Sequence, residues 1–451
     1  MLVKLAGKNI RYYARSYFVY LLTIAFSTWV YYMFSSLVAG EQMQSLAGGS
    51  KVYGVCFSIG AWMILLFTAV FIWYSTDFFF QKRKQEFGLY LLMGIEKGRV
   101  ALLLLTETVI LGMAATVGGV LLGIVTHLPV QKAIASFLHT QSAVVTWPTL
   151  PEIARMLLRF FVVFLALGAM KVRTVGKSEL AELFHAQDTQ EAPTKASWVR
   201  LILSAAVLAT GYGMIFQVKG AANLYLLPMG LGCVLAGTFL TFLQCMAMAV
   251  HLLRGTERCA SDFSARISIT GLNRAIRRNA ASWATVSLLV AASMSAVILA
   301  YSAYQLEVSL AAVAGEETEI VLGIFRTLML VMALSASSFL ASTGSMLYFH
   351  ELSDMQENER NYRLLYCLGA DQAEMNRVAQ SQCWITFLIP LLAGVGHTVL
   401  FAAYIHARNL LDGITPVLLS AALCVVIYCL YYLLALRQSK KLMRTACESK
   451  T

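Results

Sequence analysis

Long apolar runs alternate with short polar stretches along almost the whole of this 451-residue chain. A helix needs roughly 20 apolar residues to cross about 30 Å of hydrocarbon. Ten runs meet that length: 17–38, 53–76, 100–127, 153–170, 198–217, 221–250, 283–306, 320–349, 378–405 and 414–436. Backbone N–H and C=O groups cannot go unpaired in lipid, so each run is predicted to be helical. The expected fold class is an all-α polytopic membrane protein with ten transmembrane helices.

One polar stretch has a pattern of its own. Residues 81–99, QKRKQEFGLYLLMGIEKGR, open on three consecutive cations and then turn amphipathic. Phe87, Tyr90 and Leu91 fall near one side at helical spacing, with Lys84 and Glu86 turned elsewhere. Such a helix is too short to span and is expected at the membrane surface. Gly94 suits its end, since glycine takes the left-handed cap conformation without steric cost. The pattern returns at 356–374, QENERNYRLLYCLGADQAE. An offset of 275 residues brings Phe87 onto Tyr362, Leu89 onto Leu364, Tyr90 onto Leu365 and Gly94 onto Gly369. Upstream, Gly7-Lys8-Asn9 resembles Gly271-Leu272-Asn273. Two echoes in one order point to internal duplication.

Composition agrees with the pattern: 59% of residues are apolar, 13% are charged and mean hydropathy is +0.68. Soluble domains are nearer a quarter charged. With the N-terminus inside, 28 of the 35 Lys and Arg residues fall on inner segments. Both termini are therefore expected in the cytoplasm and the protein in the cell membrane. The net charge of +11 then reflects topology and implies no nucleic-acid partner. The N-terminal region lacks a cleavable signal pattern, so the first helix is expected to stay as an anchor. Outer loops are expected at 127–152 and, strongly acidic, at 307–319. The expected organisation is a four-helix half at 1–172, a connector at 173–197, an inserted helix pair at 198–250, a connector at 251–282 and a second four-helix half at 283–451. The nine cysteines form no C-x-x-C, which argues against a disulfide framework or zinc site.

Little in the chain suggests catalysis. Val175-Gly176-Lys177-Ser178 looks like the end of a phosphate-binding loop, but Lys171 stands where the motif needs glycine. No H-E-x-x-H or G-x-S-x-G pattern occurs, so no catalytic or metal-binding residue is assigned. Glu107 is a candidate because a carboxylate inside a spanning helix is costly; the plainer account pairs it with Lys97 or Arg99 near the inner interface. Its counterpart at the same offset is Gln382. Arg155, Arg159 and Arg326 lie in the outer ends of their helices. They either snorkel to lipid phosphates or line a cavity that receives an anionic group. Gly119 and Gly123 form a G-x-x-x-G that permits close helix approach.

The stretch Arg83-Lys84-Gln85-Glu86-Phe87-Gly88-Leu89-Tyr90-Leu91-Leu92-Met93-Gly94 resembles the signature of FtsX-like (MacB-fold) ABC transporter permeases. Glu107 matches an acidic position of that family, and 177–184, KSELAELF, resembles its segment after the fourth helix. The four-plus-two-plus-four layout is similar to the Bce-type branch, which expels bacitracin-like peptide antibiotics from low-GC Gram-positive bacteria. The resemblance implies a non-catalytic permease subunit, with ATP and Mg bound by a separate cytoplasmic ATPase, expected as one dimer per permease. The implied coupling residues are Lys84, Glu86, Phe87, Gly88, Leu89, Tyr90 and Gly94, with Tyr362, Leu364, Leu365 and Gly369 in the second copy. Membrane lipids, and a sensor histidine kinase or accessory protein, are further implied partners. The chain departs from the Bce type at 307–319, where that branch carries a large extracellular domain. Two functions therefore stand open: movement of an amphiphilic substrate such as an antimicrobial peptide or lipid-linked molecule, or regulation of a histidine kinase or cell-wall hydrolase without cargo.

Overall fold

A computed structural model describes residues 14–39, 52–138, 147–177, 197–218, 223, 225–254, 263–311, 319–357, 367, 369, 371–410 and 413–448. Among these residues there is no strand. Eleven helices follow in order: α1 (Ala14–Ala39), α2 (Val52–Lys82), α3 (Lys84–Leu92), α4 (Lys97–Phe137), α5 (Leu150–Lys177), α6 (Trp198–Gln217), α7 (Leu226–Arg254), α8 (Phe263–Ala311), α9 (Glu319–Glu357), α10 (Gln372–His406) and α11 (Thr415–Glu448). All except α3 are long and apolar enough to cross a membrane, and they fall on the ten apolar runs. The protein is a multi-pass membrane protein.

Two elements differ from expectation. The outer loop expected from residue 127 begins later, because α4 runs through Pro129 to Phe137. Its extension is held by packing: Gln131 and Ile134 are buried, and the Gln131 amide donates to Ser36 on α1 at 3.4 Å. The acidic loop expected at 307–319 is also shorter. Glu307 lies within α8 and Glu319 opens α9, leaving 312–318 between the helices and outside the described residues.

The chain divides into two compact units. One comprises Met1–Asp188, Ala292–Met346 and Arg408–Ile427. Lipid is as apolar as leucine, so helices here associate through close packing and interhelical hydrogen bonds rather than hydrophobic drive. Helix α1 supplies both. Thr23 and Ser27 hydrogen-bond Ser345 and Ser338 of α9 at 2.5 and 3.1 Å, and the Trp29 indole donates to Thr126 of α4 at 2.8 Å. A Cβ at Gly119 would collide with the Ala25 carbonyl, so glycine lets α4 lie directly on α1. The other unit comprises Thr189–Ala291, Leu347–Ala407 and Tyr428–Thr451. In it α6 and α7 pack along each other, and both are tied to α10 by His397. That ring hydrogen-bonds Tyr212 through Nδ1 at 2.5 Å and Thr238 through Nε2 at 3.2 Å.

Candidate functional site

The site is built around α3, the nine-residue helix between the spanning helices α2 and α4. The chain bends at Arg83, whose φ of −108° and ψ of 10° leave the helical region. The Phe87 N–H donates to the Arg83 carbonyl and starts the new helix. Its end is a Schellman closure: Ile95 N–H reaches Tyr90 O, Gly94 N–H reaches Leu91 O, and Gly94 adopts φ +85°. Among the described residues nothing lies within 4 Å of a Cβ built at Gly94, so backbone conformation selects glycine there.

The two faces of α3 do different things. Phe87 is 1% exposed and packs with Phe80, Val100, Ala101 and Leu104. Its ring stacks on Phe80 at 5.7 Å. Gly88 is also buried, and Tyr90 is half-buried against the same cluster. Leu89, Leu92 and Met93 are 55%, 62% and 68% exposed. Phe87 therefore supports α3 from behind, whereas Leu89 lies on its open face. Glu86 stands between the faces, 36% exposed at its side chain. Lys84 belongs to α3, and its side chain lies outside the described residues.

Glu107 is 2% exposed, and its partner is Arg83 rather than Lys97 or Arg99. Arg99 instead pairs with Glu96 at 3.3 Å. The buried Arg83 guanidinium donates through Nη1 to Glu107 and through Nε to Glu86 at 3.0 Å, and lies 5.1 Å from the Phe87 ring centroid. Burial works against the charged form; the hydrogen bond and charge of Glu107 outweigh it and hold the guanidinium above its ordinary range. Sequence reasoning missed Arg83 as the partner. The available signal was an arginine between two lysines, immediately after the Phe78-Phe79-Phe80 run.

At the corresponding offset Gly369 likewise has positive φ, at +99°. Tyr362, Leu364 and Leu365 lie outside the described residues. Asp371 then caps α10 reciprocally: its Oδ1 accepts from the Glu374 N–H at 2.6 Å, and Glu374 accepts from the Asp371 N–H at 3.2 Å.

The three arginines have separate partners. Arg155 is exposed, 4.0 Å from Glu152. Arg159 donates to the buried Tyr31 hydroxyl at 2.6 Å and lies 5.7 Å from the Trp62 ring centroid. Arg326 is largely buried and bonds Glu307 at 2.7 Å. No group of three or more His, Cys, Asp or Glu side chains suited to a metal ion occurs among the described residues. A further buried carboxylate that sequence reasoning passed over is Glu351 on α9, which accepts from Ser439 at 3.5 Å.

Residues 58–177, which contain this site, match the family model described as FtsX-like permease C-terminal. Three Bacillus subtilis proteins are similar to the chain. An uncharacterized ABC transporter permease, YvcS, is 26% identical over 53% of this chain and 37% of its own length. The ABC transporter permease protein YxdM is 22% identical over 65% and 47%. The bacitracin export permease protein BceB is 21% identical over 66% and 47%. The matched region thus spans less than half the length of each of these relatives.

Proposed function

We propose that this chain, which carries an FtsX-like permease domain, is the membrane-spanning subunit of an ABC transporter powered by a separate cytoplasmic ATPase. The observation that carries the reading is the division of labour on α3. Phe87 and the Gly94 closure fix the helix from behind, and Leu89, Leu92 and Met93 present an apolar face forward. A fixed, partly apolar helix end between two spanning helices can receive a push from a soluble partner. ATP and Mg belong to that partner, one ATPase dimer per permease, and the chain contributes no catalytic group. The N- and C-termini and α3 share the cytoplasmic side.

The substrate class is an amphiphile such as an antimicrobial peptide or lipid-linked molecule, by analogy with the relative named for bacitracin export. The second reading is a mechanical regulator of a kinase or cell-wall hydrolase that moves no cargo. The seven residues 312–318 between α8 and α9 favour it, since they leave little chain there for capturing a peptide.

Co-expression with a candidate ABC-type ATPase from the same organism tests the reading. The pair should co-purify, and Leu89→Asp with Met93→Asp should abolish both co-purification and permease-dependent ATP hydrolysis while membrane insertion persists. Unchanged assembly and hydrolysis in that variant would remove α3 from the coupling role. Comparing export with signalling in an ATPase-dead complex separates the two readings.

A further inference from the structure

Arg83 is not one of the solvated cations that orient the chain. It occupies the bend between α2 and α3, is 2% exposed, and grips a carboxylate on each of two helices. Glu86 is on α3. Glu107 is ten residues into α4, about 15 Å along its axis from Lys97 at ~1.5 Å per residue. Two links therefore run from α3 to α4. The covalent one passes through Gly94 and Ile95, a turn closed by backbone hydrogen bonds and exposed at Gly94. The other bypasses that turn and enters α4 well inside its length.

The planar guanidinium suits this position. Its Nε and Nη1 point in fixed, divergent directions, so a single side chain can bond Glu86 and Glu107 together. Phe87, beneath the guanidinium, fixes its plane. Glu86 remains partly open to solvent, so a change at the outer face of α3 reaches Arg83 through a group that a docked partner can touch. We propose that Arg83 is a joint, bridging Glu86 and Glu107, through which displacement of α3 is carried directly into α4. The inference rests on the coupling reading above and names the residues that transmit it.

The test uses the full permease–ATPase complex in nanodiscs, with a cysteine at Val125, exposed toward the far end of α4, in a background without native cysteine. Labelling of that cysteine is followed with and without ATP. Arg83→Met/Glu107→Met replaces the ion pair by apolar side chains of similar length, which buried pairs often tolerate. It should keep ATPase assembly while the nucleotide-dependent difference in labelling shrinks at least about fivefold, the low end of ordinary coupling between two sites. Arg83→Lys, which keeps the charge but not the fork, should assemble and respond weakly; it decides the matter if the double variant does not fold. A full nucleotide response in either variant overturns the joint. Loss of ATPase assembly in Arg83→Lys also overturns it, because the pair would then be shaping the docking face. If the unsubstituted complex fails to assemble, the coupling reading itself has failed, and that failure is visible before any Arg83 variant is made.

Discussion

The two glycine turns at Gly94 and Gly369 lie 275 residues apart, and so do the first residues of the helices that follow, Lys97 of α4 and Gln372 of α10. Both glycines take positive φ, yet the side chains at the two helix starts differ. Helix α4 begins at Glu96 with no side-chain cap, and the region is held by the Arg83–Glu107 pair from outside the turn. Helix α10 begins with a complete Asp371–Glu374 capping box. The residue in register with Glu107 is Gln382, and the buried carboxylate of that unit, Glu351, meets the Ser439 hydroxyl rather than a guanidinium. One helix is thus anchored by a charge pair about three turns beyond its start and the other by its own first turn. A shared backbone pattern does not imply a shared source of rigidity. A helix anchored at a distance can be moved from a distance, and a self-capped start is insulated.

The sharpest way to break this contrast is to make the same change in both carboxylates. Glu107→Gln leaves Arg83 buried against a neutral amide, and breaking a buried pair in this way costs about 3–5 kcal/mol. Glu351→Gln keeps a carbonyl oxygen for Ser439, so the expected cost is that of one altered hydrogen bond, about 0.5–1.5 kcal/mol. Thermal unfolding in detergent, with intrinsic tryptophan fluorescence as the readout, compares them. Equal losses would mean that the two carboxylates are held alike.

Much of the fold is legible in the sequence because the bilayer imposes length and polarity on every crossing: each of the ten apolar runs contains a membrane-length helix. The existence of α3 and its glycine end were legible too, since Gly94 satisfies a backbone requirement that no packing decides. The face of α3 was not. Helical spacing did put Phe87, Tyr90 and Leu91 on one side, and these pack on the buried cluster; that this side turns inward was not legible, because Leu89 and Leu92 make the other side apolar too. The continuation of α4 past Pro129 depends on Gln131 meeting Ser36, a contact 95 residues away in the chain. The Arg83–Glu107 pair likewise joins residues far apart in sequence, and Arg83 is camouflaged by Lys82 and Lys84.

The next effect concerns what the two copies share. Gly94→Ala and Gly369→Ala each place a side chain on a left-handed backbone, where the expected penalty is roughly 1–2 kcal/mol. Among the described residues no neighbour is within 4 Å of either added Cβ, so strain acts at both and the two losses should match. Gly98→Ala is the control. Gly98 lies in the first turn of α4, has open space around it and an ordinary φ, so alanine should be neutral or stabilising by up to about 1 kcal/mol. A large difference between the Gly94 and Gly369 variants would show that one turn rearranges at little cost.

The smallest effect separates the copies again. Asp371→Ala removes the oxygen that accepts the Glu374 N–H and should cost about 1 kcal/mol, the usual value for losing an N-cap side chain. Glu96→Ala removes a residue at the same register that makes no cap bond. What it loses is the pair with Arg99, both side chains well exposed, and such surface pairs contribute about 0–1 kcal/mol. Hydrogen exchange at the first-turn amides resolves the difference better than global unfolding, because fraying is local. Protection should fall at Glu374 and Met375 in Asp371→Ala, and remain as in the parent at Arg99 and Val100 in Glu96→Ala. If the α4 amides lose protection as much as those of α10, the start of α4 depends on Glu96 after all, and the two helix starts are secured alike.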